Sequence, residues 1–252
     1  MSFQYPPNPP QPTEAPQVRI QLPRGTPVIT YTLLALTIAV YLLQMIAPML
    51  FDQDVVGMWG MKNNYFITHG QWWRLITPMF LHGSIFHIGF NMYALYVLGP
   101  SLERFFGRWP FLLLYLVAGV AGNVFSFIFS PYNSLGASTA IFGLLAGQGV
   151  FLYQNRKLLG KGAQRSLSNI VFIAIINFVI GLSPGIDNWG HLGGFFGGAL
   201  FTWFAGPKMK VTQGFSFLRL QNTRSATVAM MVALLCLLFF VGLAFVFHGA
   251  TP

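Results

Sequence analysis

Four polar residues stand inside apolar runs of the chain, where a hydrocarbon environment would penalise them: His87, Asn91, Ser138 and His191. Such groups usually face the interior of a helix bundle and mark a function. A serine hydroxyl attacks a carbonyl carbon only if its proton is taken as the bond forms, and an imidazole is the commonest acceptor. Ser138 and His191 therefore meet the minimum for a nucleophile with a general base. His87 and Asn91 are four residues apart and share one helix face. They could donate to the oxyanion of a tetrahedral intermediate, a role in which one lost donor costs roughly 3 to 4 kcal/mol. No carboxylate falls at membrane depth to complete a triad, so the pattern points to acyl transfer by a serine and a histidine.

The elements that must position these groups follow from composition. The 252 residues carry 14 Lys plus Arg against 5 Asp plus Glu, a net charge of +9, and only 8% are charged. Soluble domains carry about 25% charged residues, so lipid rather than water is the main solvent. The cations are scattered between apolar runs, which argues for topology and against nucleic acid as partner. A single cysteine, Cys236, excludes an internal disulfide and a cysteine-based metal cluster.

Seven apolar runs approach the ~20 residues that cross a ~30 Å hydrocarbon core: Val28–Leu50, Ser84–Leu102, Trp109–Phe129, Gly136–Tyr153, Ser166–Leu182, Asn188–Gly206 and Ser225–Phe247. The long connection from Phe51 to Gly83 is rich in Trp, Tyr and Met and suits a partly helical loop at the membrane interface. Residues 1–26 hold seven prolines and read as a disordered cytosolic tail. With the N-terminus in the cytosol, twelve Lys and Arg residues fall inside and only Lys62 and Arg74 outside, a strong positive-inside signal that puts the C-terminus outside. The four polar groups then share one depth, just below the outer surface.

On the sixth run, His191, Gly194 and Gly198 lie at helical angles of about 0°, −60° and −20°. With Gly193 and Gly197 they form a stripe of small residues that lets two helix backbones approach and could bring His191 to Ser138. Phe142, one turn after Ser138, could stack beneath the imidazole. A lone membrane serine often only packs, and glycine stripes often serve packing alone; it is the joint placement of four groups at one depth that favours a site.

These residues resemble the rhomboid family of intramembrane serine proteases. Gly136-Ala-Ser138-Thr139 is similar to the family's Gly-x-Ser-Gly nucleophile motif, and His82, His87 and Asn91 match its HxxxxHxxxN signature. Gly190-His191 followed by Gly193, Gly194, Gly197 and Gly198 resembles its histidine helix, Trp73-Arg74 its first-loop pair, and Gly99, Glu103 and Gly107 its GxxxExxxG. The resemblance covers residues 27–207. It implies an all-α, polytopic membrane bundle: a six-helix catalytic core (27–207), a basic cytosolic loop (208–224) and a seventh transmembrane helix with a short outer tail (225–252).

The resemblance also implies that Ser138 is the nucleophile and His191 the general base and then acid. His87, Asn91 and the Ser138 N–H would form the oxyanion hole, His82 would sit at a water-filled mouth, and Trp73, Arg74 and Glu103 would be structural. Phe142, Gly136, Gly194 and Gly198 would support the site. No metal or cofactor is expected. The expected partners are single-span transmembrane substrates, cut in or near the outer end of their helix, in a plasma or bacterial inner membrane. Two departures stand out: Thr139 replaces the motif's second Gly, and Phe142 stands where many members have Tyr. The alternative is an inactive relative that binds membrane clients, against which the retention of all four polar groups speaks. No His-Glu-x-x-His zinc motif and no membrane aspartyl pair is present, and the clustering of polar groups on one side disfavours a transporter path.

Overall fold

The computed structural model describes residues 20–21, 23, 25–213 and 218–249. Seven long helices dominate it, each on one of the apolar runs: α1 (Val28–Phe51), α4 (Ile85–Phe106), α5 (Arg108–Phe129), α6 (Ser138–Gln154), α7 (Arg156–Ile180), α8 (Asn188–Ala205) and α9 (Ala226–Phe247). Two short helices, α2 (Val55–Gly60) and α3 (Asn64–Thr68), and two 3₁₀ turns (Trp72–Leu75 and Thr77–Phe80) fill the first loop. Each short helix starts on a side-chain cap: Asp54 accepts from the Gly57 N–H, and Asn63 from the Phe66 N–H.

Four helices, α1, α5, α7 and α9, are long and apolar enough to cross a membrane. Among these, α5 is mostly buried within the protein, whereas α1, α7 and α9 turn most of their surface outward. The other three long helices fall short for physical reasons. α4 carries His87, Asn91, Glu103 and Arg104, α6 has only 17 residues, and α8 is built around glycines. A helix wrapped by other helices need not be greasy on every face. α5, α6 and α8 pack as a central trio, with α9 against α5 and α8, α7 against α6, and α1 against α4.

Two sequence expectations are corrected. The chain is mostly helical rather than all-α, because Met209–Gln213 (β2) and Leu218–Asn222 (β3) form an antiparallel hairpin where a basic loop was expected. Ile20–Gln21 (β1), assigned by its prolines to the disordered tail, pairs in parallel with β3; residues 1–19 of that tail lie outside the described residues. The hairpin's exit is pinned to the bundle by Arg224, whose guanidinium donates to the Gly206 carbonyl (2.7 Å) at the C-terminal end of α8, the helix end that favours a cation. The fifth run also starts earlier than expected, at Arg156, with a break at Gly160 (φ 62°, ψ −151°).

The two cations placed outside by the charge count are buried. Arg74, 3% exposed, donates from Nη1 to the carbonyls of Met58 (2.9 Å) and Met61 (2.7 Å) and from Nε to Gln71 (2.8 Å), knitting the first loop together. Lys62, 0% exposed, donates to the carbonyls of Ser130 (2.7 Å) and Tyr132 (2.8 Å), on the loop that leads into α6. Burial pulls the Lys62 ammonium down to about 8, against a smaller opposing pull from Asp187. In the unfolded chain the amine titrates near 10.5, so the folded state carries the full cost of the buried charge below pH 8. Stability should therefore rise as pH climbs from about 8 to about 10.5, by as much as ~3 kcal/mol. Unfolding in mixed micelles across that range should show the rise in wild type and lose it in Lys62→Met; equal pH slopes would refute it.

Candidate active site

Ser138 stands at the first position of α6, where backbone N–H groups have no partner within the helix and carry the positive end of its dipole. A nucleophile placed there has its own amide free to face a developing oxyanion. The turn before it depends on Gly136, whose φ of +136° lies where side chains are strained. A Cβ at Gly136 would also lie 2.7 Å from both Cε1 and Nε2 of His87 and 3.6 Å from Ser138 Oγ. The imidazole of His87 and the serine hydroxyl thus flank one small space.

His191 lies in the first turn of α8, a helix started by Asp187, whose Oδ1 accepts from the Gly190 N–H (2.9 Å). Its Nε2 is 3.0 Å from Ser138 Oγ, so with Nε2 unprotonated the hydroxyl donates to the imidazole. Phe142 stacks on the ring, with centroids 4.2 Å apart and planes 13° from parallel. Stacking and hydrogen bond together fix both the tilt and the azimuth of the base. Both residues sit within the bundle, His191 being 8% exposed.

The approach of α8 to α6 comes from glycine. A Cβ at Gly194 would run into the Thr139 main chain, and one at Gly198 into the Gly143 main chain. The Thr139 side chain lies in the same seam, against the sites where Gly122 and Gly190 lack a Cβ. The Thr that replaces the motif's glycine is therefore accommodated by glycines on α5 and α8, buried at 5% exposure.

Asn91 lies one turn below His87, and its Nδ2 donates to the His87 carbonyl (2.9 Å). One amide hydrogen is held by the helix, and the amide carries a second. His82, expected at a water-filled mouth, is 2% exposed: its ring meets that of His87 edge-on at 4.9 Å, and its Nε2 accepts from the Ala137 N–H at 3.4 Å. Trp73, Arg74 and Glu103 stand apart from the serine. Trp73 stacks on Trp59 and donates to its carbonyl (3.2 Å). Glu103, 3% exposed, accepts from the N–H groups of Ile29 (2.9 Å) and Thr30 (2.8 Å) and from the Thr30 hydroxyl (2.8 Å). That carboxylate caps α1, whose own N-cap residue, Pro27, offers no side-chain acceptor.

Sequence reasoning missed two participants. Asp187, to which the sequence reading gives no role, starts the helix of His191; an Asp directly before an apolar run is a helix-capping signal. Gln44 was passed over inside the first apolar run, although an amide there invites the same question as any intramembrane polar group.

Comparison with known proteins follows the same lines. The rhomboid domain profile matches residues 69–208, more than half of the chain. Rhomboid protease GluP of Bacillus subtilis is 42% identical over 175 residues, covering 69% of this chain and 34% of GluP. RHOMBOID-like protein 4 of Arabidopsis thaliana is 35% identical over 144 residues, 57% of this chain and 36% of the relative. Rhomboid protease AarA of Providencia stuartii is 28% identical over 203 residues, 71% of this chain and 72% of AarA. The chain thus spans about a third of the length of GluP and most of the length of AarA.

Proposed function

Because the chain belongs to the rhomboid family, we propose that it is an intramembrane serine endopeptidase in which Ser138 and His191 form the catalytic pair. The observation that carries this reading is the 3.0 Å contact between Ser138 Oγ and His191 Nε2 at the free N-terminus of α6. Ser138 Oγ attacks the scissile carbonyl carbon while His191 Nε2 takes the hydroxyl proton. The carbonyl oxygen becomes an oxyanion that accepts from the Ser138 N–H, from Asn91 Nδ2 and from the His87 imidazole. When the tetrahedral intermediate collapses, the C–N bond breaks and the imidazolium returns its proton to the leaving amine. Water, deprotonated by His191, then cleaves the acyl ester and restores the serine.

The seven long helices support a six-plus-one arrangement, and the distribution of Lys and Arg along the sequence supports an N-terminus in the cytosol, and so a site near the outer surface. Substrates are then single-span membrane proteins cut in or near the outer end of their helix. Purified protein in lipid vesicles, offered a panel of labelled single-span substrates and a fluorophosphonate, tests the reading. Cleavage together with a fluorophosphonate adduct mapped to Ser138 is expected. Folded protein that binds the substrates but neither cuts nor labels would instead establish a client-binding relative.

A further inference from the structure

α1 turns most of its surface outward, yet it buries one amide, Gln44, at 6% exposure. Both ends of that amide are engaged. Its Nε2 donates to Asp54 Oδ2 (2.9 Å), while Asp54 Oδ1 accepts from the Gly57 N–H (2.8 Å) at the start of α2. Its Oε1 accepts from the main-chain N–H of His82 (3.0 Å). The His82 ring in turn accepts from the Ala137 N–H, the residue directly before the serine, and touches His87. The pair also has space reserved for it: a Cβ at Gly57 would strike the Asp54 carboxylate and come within 3.2 Å of Gln44 Nε2.

Resting on the reading of Ser138 as nucleophile, we propose that Gln44 is a positioning residue for the reaction. With Asp54 it fixes the His82 main chain, and through the His82 ring it sets the Ala137–Ser138 turn and hence the direction of the Ser138 amide. The polarity of the chain matters as well as its shape. Asp54 can only accept, so the Gln44 amide must present its NH₂ to Asp54 and its oxygen to His82. An Asn at position 54 that kept its oxygen on the Gly57 N–H would turn its own NH₂ toward Gln44. The Gln44 amide would then flip and set a donor against the His82 donor.

This polarity supplies a test that packing alone would not reproduce. Asp54→Asn and Gln44→Glu change almost no volume, and the double variant Asp54→Asn/Gln44→Glu restores complementarity by setting a donor at 54 against one of two acceptors at 44. kcat and KM would be measured in lipid vesicles per fluorophosphonate-titrated site, with thermal unfolding alongside. Each single variant is expected to lose about tenfold in kcat at unchanged KM, as displaced reacting groups do, and the double variant should recover to within about twofold of wild type. Single variants with wild-type kcat per titrated site, or a double variant no better than its parents, would overturn the proposal. Wild-type protein that fails to label at Ser138 would overturn the underlying reading instead, so the two failures are distinct.

Discussion

Ser138→Ala and His191→Ala should each leave a folded protein whose cleavage rate falls by about 10⁴-fold or more, and combining them should slow it no further. The pair acts as one unit: without the imidazole the hydroxyl keeps its proton, and without the hydroxyl the imidazole has nothing to deprotonate. Neither substitution attacks the fold. The Ser138 side chain does not cap α6, whose start carries no side-chain cap bond, and His191 makes no side-chain hydrogen bond other than the one to Ser138 among the described contacts. Asp187, which starts α8 through the Gly190 N–H, is untouched by either change. Fluorophosphonate labelling should vanish in Ser138→Ala and slow by a factor similar to that for cleavage in His191→Ala. Multiplying losses in the double variant would show that the two residues act independently and would end the assignment of a catalytic pair. His87→Ala and Asn91→Ala should have smaller effects, because other oxyanion donors remain in each.

The long helices were legible because membrane-crossing helices need ~20 apolar residues, and the structure's α1, α5 and α9 lie within a residue or two of the expected runs. The approach of His191 to Ser138 was legible because the glycine stripe on α8 lets the two helix backbones meet. What escaped were features set by hydrogen bonds rather than hydropathy. The β1–β3–β2 sheet is built from short polar strands, and one partner of Leu218–Asn222, Ile20–Gln21, lies at the other end of the chain. The burial of Lys62 and Arg74 was also hidden. Both count as outer charges in a topology argument, yet both donate to main-chain carbonyls inside the protein. A buried cation that satisfies carbonyls orders a loop, and the positive-inside rule concerns cations that meet the membrane surface. His82 escaped for a related reason: motif spacing places its Cα but cannot say that Gln44 and Ala137 enclose it on two sides.

Gly194→Ala should reduce cleavage by about 10²-fold or more even where the protein still folds, an effect of the order expected for a lost oxyanion donor. The added Cβ would lie 2.8 Å from the Thr139 carbonyl carbon and 3.1 Å from its Cα, which are backbone atoms that cannot swing aside. α8 must then move away from α6 just where Thr139 follows Ser138, and the 3.0 Å contact to His191, one turn earlier on α8, lengthens with it. Gly198→Ala meets the Gly143 main chain one turn further down, with 2.6 Å to its carbonyl carbon. There the helices can splay about a fulcrum more distant from the serine, so its loss of activity should be smaller for a similar loss of stability. Gly89→Ala, where an added Cβ meets nothing within 4 Å on the neighbouring helix α4, serves as the control and should cleave like wild type. Comparing kcat per titrated site with unfolding midpoint across the three variants separates the explanations. If stability alone mattered, Gly194→Ala and Gly198→Ala would lose activity in parallel with their midpoints. A deficit in Gly194→Ala well beyond its stability loss would locate the effect in the distance between nucleophile and base.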